Sequence, residues 1–259
     1  MQTNRNSLTV HGLQVVSILV FLIIWEELVN LRILDPALFP TPVQIIKNFL
    51  SVTSNSKVFY QIGEGMLVTL AAFAASVGTG LFLGLLFGSF AFLKKVSEPY
   101  LVLLQAIPKA IFLPAFFIGL GIGFRFEFTF AFFAAFVIMT LNTMYSVASV
   151  PTPLITTARA MGASTGKIYL TVIIPAIMPS LLAGARLTFG ITYGTVLIAQ
   201  EFVGLTGIGY LVVTYSSVYA IVPLYVIVVV ACLIGIAGFL ILLALERYVT
   251  RWSRLLLQR

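Results

Sequence analysis

Six stretches of this chain, at about 13–33, 66–93, 99–122, 126–148, 178–203 and 223–246, are apolar over the length that a lipid bilayer demands. About 20 apolar helical residues cross a hydrocarbon core of roughly 30 Å. Water is absent there, so every backbone N–H and C=O must be bonded internally, and only helices or closed barrels meet that condition. The runs show no sustained period-two alternation, which argues against a barrel. Composition agrees: 60% of the 259 residues are hydrophobic and 9% are charged. The expectation is an all-α polytopic membrane protein with about six transmembrane helices in a single domain, 1–259. The fifth run is the least regular, with Arg186 near its start and Gln200 and Glu201 near its end.

The same inventory narrows the chemistry. Cys232 is the one cysteine and His11 the one histidine, too few for a Cys/His metal centre or an internal disulfide. The formal charge of +7 is spread along the chain rather than gathered in a stripe, so membrane topology accounts for it better than nucleic acid does. The first run follows Arg5 as a signal peptide would. Glu26 and Glu27 stand where small residues would mark cleavage, so an uncleaved span is expected.

Lys and Arg give an orientation. With the N-terminus inside, Arg5, Lys94, Lys95, Arg159, Lys167, Arg247, Arg251, Arg254 and Arg259 face the cytoplasm. Arg32, Lys47, Lys57 and Arg125 face outward, while Lys109 and Arg186 lie within the membrane or at its border. Nine against four follows the positive-inside rule, with both termini cytoplasmic.

Outside, LFPTPVQIIKNFL reads as a short helix capped by Thr41 with Pro42 in its first turn. Its Ile45, Ile46, Phe49 and Leu50 would lie against membrane or bundle. EFVGLTGIGYLV reads as a flexible link, since Gly207 and Gly209 lack the βαβ setting and third glycine of a dinucleotide fingerprint. Gly80, Gly84 and Gly88 line one helical face and permit close packing, and Gly190 and Gly194 are read the same way.

The longest polar interruption, at about 149–177, contains TTARAMGASTGKIYLTVIIP. Thr152 is expected to cap a helix that starts at Pro153 and stops at Gly162, whose tolerance of positive φ suits a C-terminal corner. Ser164 then caps a second helix with Ile168, Tyr169, Val172 and Ile173 as its apolar face, and Pro175 and Pro179 bend the chain back into the membrane. The result reads either as a small docking knob on the cytoplasmic side, with Leu154, Ile155 and Met161 available to a partner's socket, or as an ordinary amphipathic cytoplasmic loop.

The loop resembles the EAA loop of permease subunits in ATP-binding-cassette (ABC) importers: E-A-A, three residues, G, nine residues, I, one residue, L-P. Thr156, Thr157 and Ala158 stand at E-A-A, Gly162 at the glycine, Val172 at the isoleucine, and Ile174 and Pro175 at L-P. Thr156 departs from the pattern by removing its acidic group. Within that superfamily the chain is similar to the nitrate/sulfonate/taurine/bicarbonate permeases through LFPTPVQIIKNF, IPKAIFLPAFFIGLGIG, ARAMGAS, IIPAIMPSLLAGARLTFG and AQEFVGLTGIGYLV. The resemblance implies a type I importer permease fold in the bacterial inner membrane, paired with a second permease subunit as a homodimer. It further implies two cytoplasmic ATPase subunits and an extracytoplasmic binding protein as partners. Thr156, Thr157, Ala158, Arg159, Met161, Gly162, Ala163 and Ser164 would couple to the ATPase. ATP and Mg would belong to that subunit, with no cofactor in this chain and no enzymatic role. The chain itself holds no G-x-x-x-x-G-K-[ST] phosphate loop.

Polar groups within spans are candidates for the path, because each is costly in lipid. Gln105, Lys109, Asn142, Tyr193 and Glu201 are the positions singled out. Lys109 lies between Pro108 and Pro114, where the backbone ladder opens; its charge suits either an anionic solute or a helix C-terminus. Arg186 and Glu201 are about 22 Å apart along one helix, so each needs its own partner or a membrane boundary. A stand-alone secondary transporter of a small anion is the alternative, but it calls for mid-span carboxylates that the sequence does not offer. A membrane enzyme ranks below both.

Overall fold

The structure, a computed structural model, describes residues 2–251. The side chains of Arg5 and His11, together with Arg254 and Arg259, lie outside the described residues. The helices are α1 (Gln2–Asn30), α2 (Pro42–Thr53), α3 (Ser56–Ser89), α4 (Ala91–Ala106), α5 (Leu113–Leu120), α6 (Phe124–Ala148), α7 (Thr152–Ala160), α8 (Thr165–Ile168), α9 (Ile174–Val203), α10 (Ile208–Ser217) and α11 (Ile221–Val249). No strand occurs among the described residues. Among the described residues five helices are long and apolar enough to cross a membrane, or six if a bent pair counts as one.

The chain divides into two compact units, residues 1–61 with 211–231, and residues 62–210 with 232–259. In the first, α2 carries a capping box: Thr41 Oγ1 accepts from Gln44 N at 3.2 Å, and Gln44 Oε1 accepts from Thr41 N at 3.1 Å. The Glu26 carboxylate accepts from Val43 N at 3.1 Å, placing a negative charge at the N-terminus of α2. The apolar face of α2 is divided: Ile45 is buried, while Ile46 and Leu50 are exposed.

In the second unit α6 is the axis. Glycines of α3 let the two backbones close: a Cβ on Gly80 would meet Met139, one on Gly84 would meet Thr143, and one on Gly88 would meet Val147. Gly184 of α9 is closed in the same way by Asn142. Gly190 and Gly194 behave differently from the expectation, because nothing lies within 4 Å of a Cβ added at either. Their absent side chains make no room for another helix of this chain. Along α6, Phe124, Phe128, Phe132 and Phe136 stack at i, i+4 spacing.

The expected third span, 99–122, is in fact broken. Helix α4 begins at Ala91, ends at Ala106 and meets Lys109–Leu120 at 84°. Pro108 has no N–H to continue the ladder and disfavours helical geometry in Ile107, which is extended at ψ 130°. The fifth span departs in the opposite sense, for helical structure is unbroken over 39 residues from Thr165 to Val203. Rather than a break, residues Tyr169–Ile173 form a π turn in which Ile174 N bonds Tyr169 O. That wider turn precedes Pro175, whose ring would crowd a regular helix four residues back.

An ion pair marks a level in the bundle. Arg186 of α9 meets Glu246 of α11 at 2.8 Å, with the guanidinium 5.1 Å over the Phe239 ring. Glu246 is the first charge after the apolar run of α11. From Arg186 to Val203 a helix rises about 26 Å, close to one hydrocarbon thickness. The whole stretch of 39 residues, Thr165–Val203, is therefore longer than that thickness, and α7 lies next to its Thr165 end.

Candidate functional site

Helix α7 begins at Thr152, one residue earlier than the sequence suggests, following Pro151. It stops in a Schellman motif: Ala163 N donates to Ala158 O at 3.1 Å and Gly162 N to Arg159 O at 2.9 Å, with Gly162 at φ +82°. Ala158 and Ala163, the residues that this motif brings together, pack against one cluster with Ile168, Ile173, Val147 and Val150. Ser164 Oγ then accepts from Lys167 N at 3.4 Å and starts the long helix. The corner is thus a backbone device, fixed by hydrogen bonds and anchored on apolar contacts.

Its outer surface differs from its base. Met161 is 83% exposed and Leu154 is 51% exposed, whereas Ile155 packs on the same cluster as Ala158 and belongs to the base. Thr156, Thr157, Arg159, Gly162 and Ser164 are exposed. Thr156 Oγ1 turns back on its own helix, 3.2 Å from Thr152 O and 3.0 Å from Pro153 O.

The five candidate path residues lie in different surroundings. Lys109 sits at the broken helix with its ammonium 2.6 Å from Gln105 O, a carbonyl left free where α4 ends; the Gln105 side chain is exposed beside it. Asn142 Nδ2 donates to Ser180 O at 2.9 Å and closes on Gly184, bonding α6 to α9. Tyr193 is buried, parallel to Phe189 at 6.1 Å and close to Gly235. Glu201 is exposed near the end of α9.

One more buried polar grouping, outside the five candidates, centres on Gln200. Gln200, 1% exposed, donates from Nε2 to Glu127 Oε2 at 2.9 Å and accepts at Oε1 from Gly209 N at 3.2 Å. Glu127 is likewise 1% exposed. Gly207, at φ +95°, lies against the Gln200 amide, and a Cβ on Gly65 would come within 3.4 Å of Gln200 Oε1. EFVGLTGIGYLV is therefore a fastened turn leading into α10, in place of a free link. The signal was in the glycines, which leave room for one amide, and it pointed at Gln200 rather than at its neighbour Glu201.

An apolar cavity of about 420 Å³, lined by Met66, Leu70, Phe73, Phe189, Ile241 and Leu242 among others, suits hydrocarbon.

Comparison with known proteins gives one consistent picture. Residues 76–254 match the family described as binding-protein-dependent transport system inner membrane component. A probable ABC transporter permease protein of Brucella abortus is 27% identical over 214 residues, covering 83% of this chain and 86% of the relative. The taurine transport system permease protein of Escherichia coli is 24% identical over 248 residues, with 93% and 89% covered. The nitrate import permease protein of Synechocystis is 23% identical over 235 residues, with 87% and 83% covered. A chain of an inward-facing methionine ABC transporter shares the fold at a TM-score of 0.63 and 22% identity, covering 76% of this chain and 99% of that one.

Proposed function

Because this chain belongs to the binding-protein-dependent transport system inner membrane component family, we propose that it forms the translocation path for a small solute and is driven through residues 149–177. It is a multi-pass permease subunit of an ABC importer. In the proposed assembly a single permease domain pairs with a second copy in the bacterial inner membrane, both termini cytoplasmic. Two cytoplasmic ATPase subunits supply ATP and Mg, and an extracytoplasmic binding protein delivers the solute.

The observation that carries this reading is the corner at Gly162. It is a rigid, exposed turn at one end of a 39-residue helical stretch. Force applied there acts on a long helix rather than on a loop. Thr156, Thr157, Ala158, Arg159, Met161, Gly162, Ala163 and Ser164 form that coupling element.

For the path, the strongest position is Lys109, at a broken helix and partly exposed. Discontinuous helices are where transporters place solute sites. Gln105 shares that surface and Glu201 stands exposed at the end of α9. Asn142 and Tyr193 contribute from packed positions, by holding helices rather than by touching solute.

The test is co-expression with the cognate ATPase and binding protein, followed by purification into lipid discs. The ATPase should co-purify, and ATP hydrolysis should rise with loaded binding protein. Gly162→Val forces a β-branched residue to positive φ, at a cost of about 1–3 kcal/mol, and should uncouple transport from hydrolysis or block assembly. An ATPase that never co-purifies with the wild-type chain would refute the assignment.

A further inference from the structure

The exposed surface of the corner has one sign of charge. Across residues 149–177 there is no Asp or Glu, while Arg159 and Lys167 are both exposed. Among the described residues neither cation is paired with a carboxylate; the ion pair found is Arg186 with Glu246. At position 156, where the resemblance leads one to expect Glu, the hydroxyl of Thr156 is taken up by the carbonyls of Thr152 and Pro153. A threonine bonded back to its own helix offers little to an outside donor. The same segment carries Met161 and Leu154, both more than half exposed.

We propose that this corner is received by an acidic cleft: a partner surface with an apolar floor for Met161 and Leu154 and carboxylates facing Arg159 and Lys167. The occupant is the ATPase subunit, so the inference rests on the function proposed above and adds the chemistry of the contact. Two unpaired cations flanking an apolar tip are complementary to carboxylates around an apolar depression. A cleft built around a cation, to meet a Glu at 156, would repel Arg159 and Lys167 and find no carboxylate in return. Met161 is unbranched and adaptable, which suits a tip that seats in a shallow hydrophobic floor.

The experiment uses the whole complex in lipid discs, measuring affinity between permease and ATPase at low and high salt. Wild-type affinity should fall as salt rises, because exposed charge contacts are screened. Arg159→Glu with Lys167→Glu should weaken association by about tenfold at low salt and flatten the salt dependence. Changing a cleft carboxylate of the ATPase to Lys should restore binding to that double variant. Thr156→Glu should weaken association or leave it unchanged. All three positions are exposed, and Arg159→Gln with Lys167→Gln provides a milder pair that should lose part of the affinity.

Tighter binding by Thr156→Glu, salt-independent wild-type binding, or wild-type affinity in the double reversal would each overturn the acidic cleft. Complete failure of the wild-type pair to associate sinks the underlying function instead, and the inference with it.

Discussion

The contact between α3 and α6 allows a quantitative test on a single methyl group. At Gly84 an added Cβ would lie 2.7 Å from Thr140 O and 2.9 Å from Thr143 Cγ2, with Thr143 Cβ closer still. Thr143 is fully buried, and neither its Cβ nor a helix carbonyl can swing aside as the end of a long side chain would. Gly84→Ala must therefore push the helices apart, and overpacking of this kind costs about 1–3 kcal/mol. Alanine also favours the helix by up to about 1 kcal/mol, which partly hides the clash. Gly78 of the same helix removes that ambiguity, because nothing lies within 4 Å of a Cβ added there. Helix propensity cancels between Gly84→Ala and Gly78→Ala, so their difference is the clash alone. Reversible unfolding of the purified permease in mixed micelles, titrated with denaturing detergent, should separate the two variants by about 1–3 kcal/mol. Gly78→Ala should unfold at or above the wild-type midpoint. If the two variants unfold together, the close approach does not exist and the axis role of α6 fails with it.

Other expectations follow from the polar contacts. Gln200→Leu strips Glu127 and Gly209 N of a partner and should cost about 2–4 kcal/mol, with faster amide exchange at 204–210 read by mass spectrometry. Unchanged exchange would show that Gln200 does not fasten that turn. Arg186→Met and Glu246→Gln in a double-mutant cycle should give a coupling of about 1–3 kcal/mol, above that of an exposed pair because both side chains are only about one-fifth exposed. Additive effects would remove the pair as a link between α9 and α11. Lys109→Met should cut uptake of an anionic solute by about tenfold or more while Lys109→Arg retains part of it; equal uptake by both would leave Lys109 only the role of binding Gln105 O.

How far the fold could be read from sequence depended on where each signal resides. Gly80, Gly84 and Gly88 gave a face because the period of a helix is fixed, whatever stands opposite. Thr41, Gly162 and Ser164 were readable because a cap is a local exchange of hydrogen bonds. Gly190 and Gly194 have the same spacing as the α3 glycines and no neighbour, since a small residue permits a contact without supplying one. The 84° break at Pro108 and the unbroken passage through Pro175 are a matched pair. Both segments contain a proline that removes a donor, and only the surrounding packing decides between an opened ladder and a π turn. Gln200 and Glu127 are 73 positions apart in the chain, so their hydrogen bond lay beyond any local pattern. Arg186 is the intermediate case: its need for a partner or a membrane boundary was evident, and its pairing with Glu246 was not.

The tie between Arg186 and Glu246 has a mechanical consequence. Seen as a pivot, it divides the stretch from Thr165 to Val203 into arms of about 32 Å and 26 Å, taking 1.5 Å per residue. A see-saw of those proportions reverses the direction of a push and returns about four-fifths of its travel. If the stretch turned as one body, each ångström by which its Thr165 end is drawn sideways would swing Val203 by about 0.8 Å the other way, and Gln200, which grips Gly209, by about 0.7 Å. In the proposed importer, the position of Arg186 along this beam would then set the ratio between the movement put in at the corner and the movement returned at the other end.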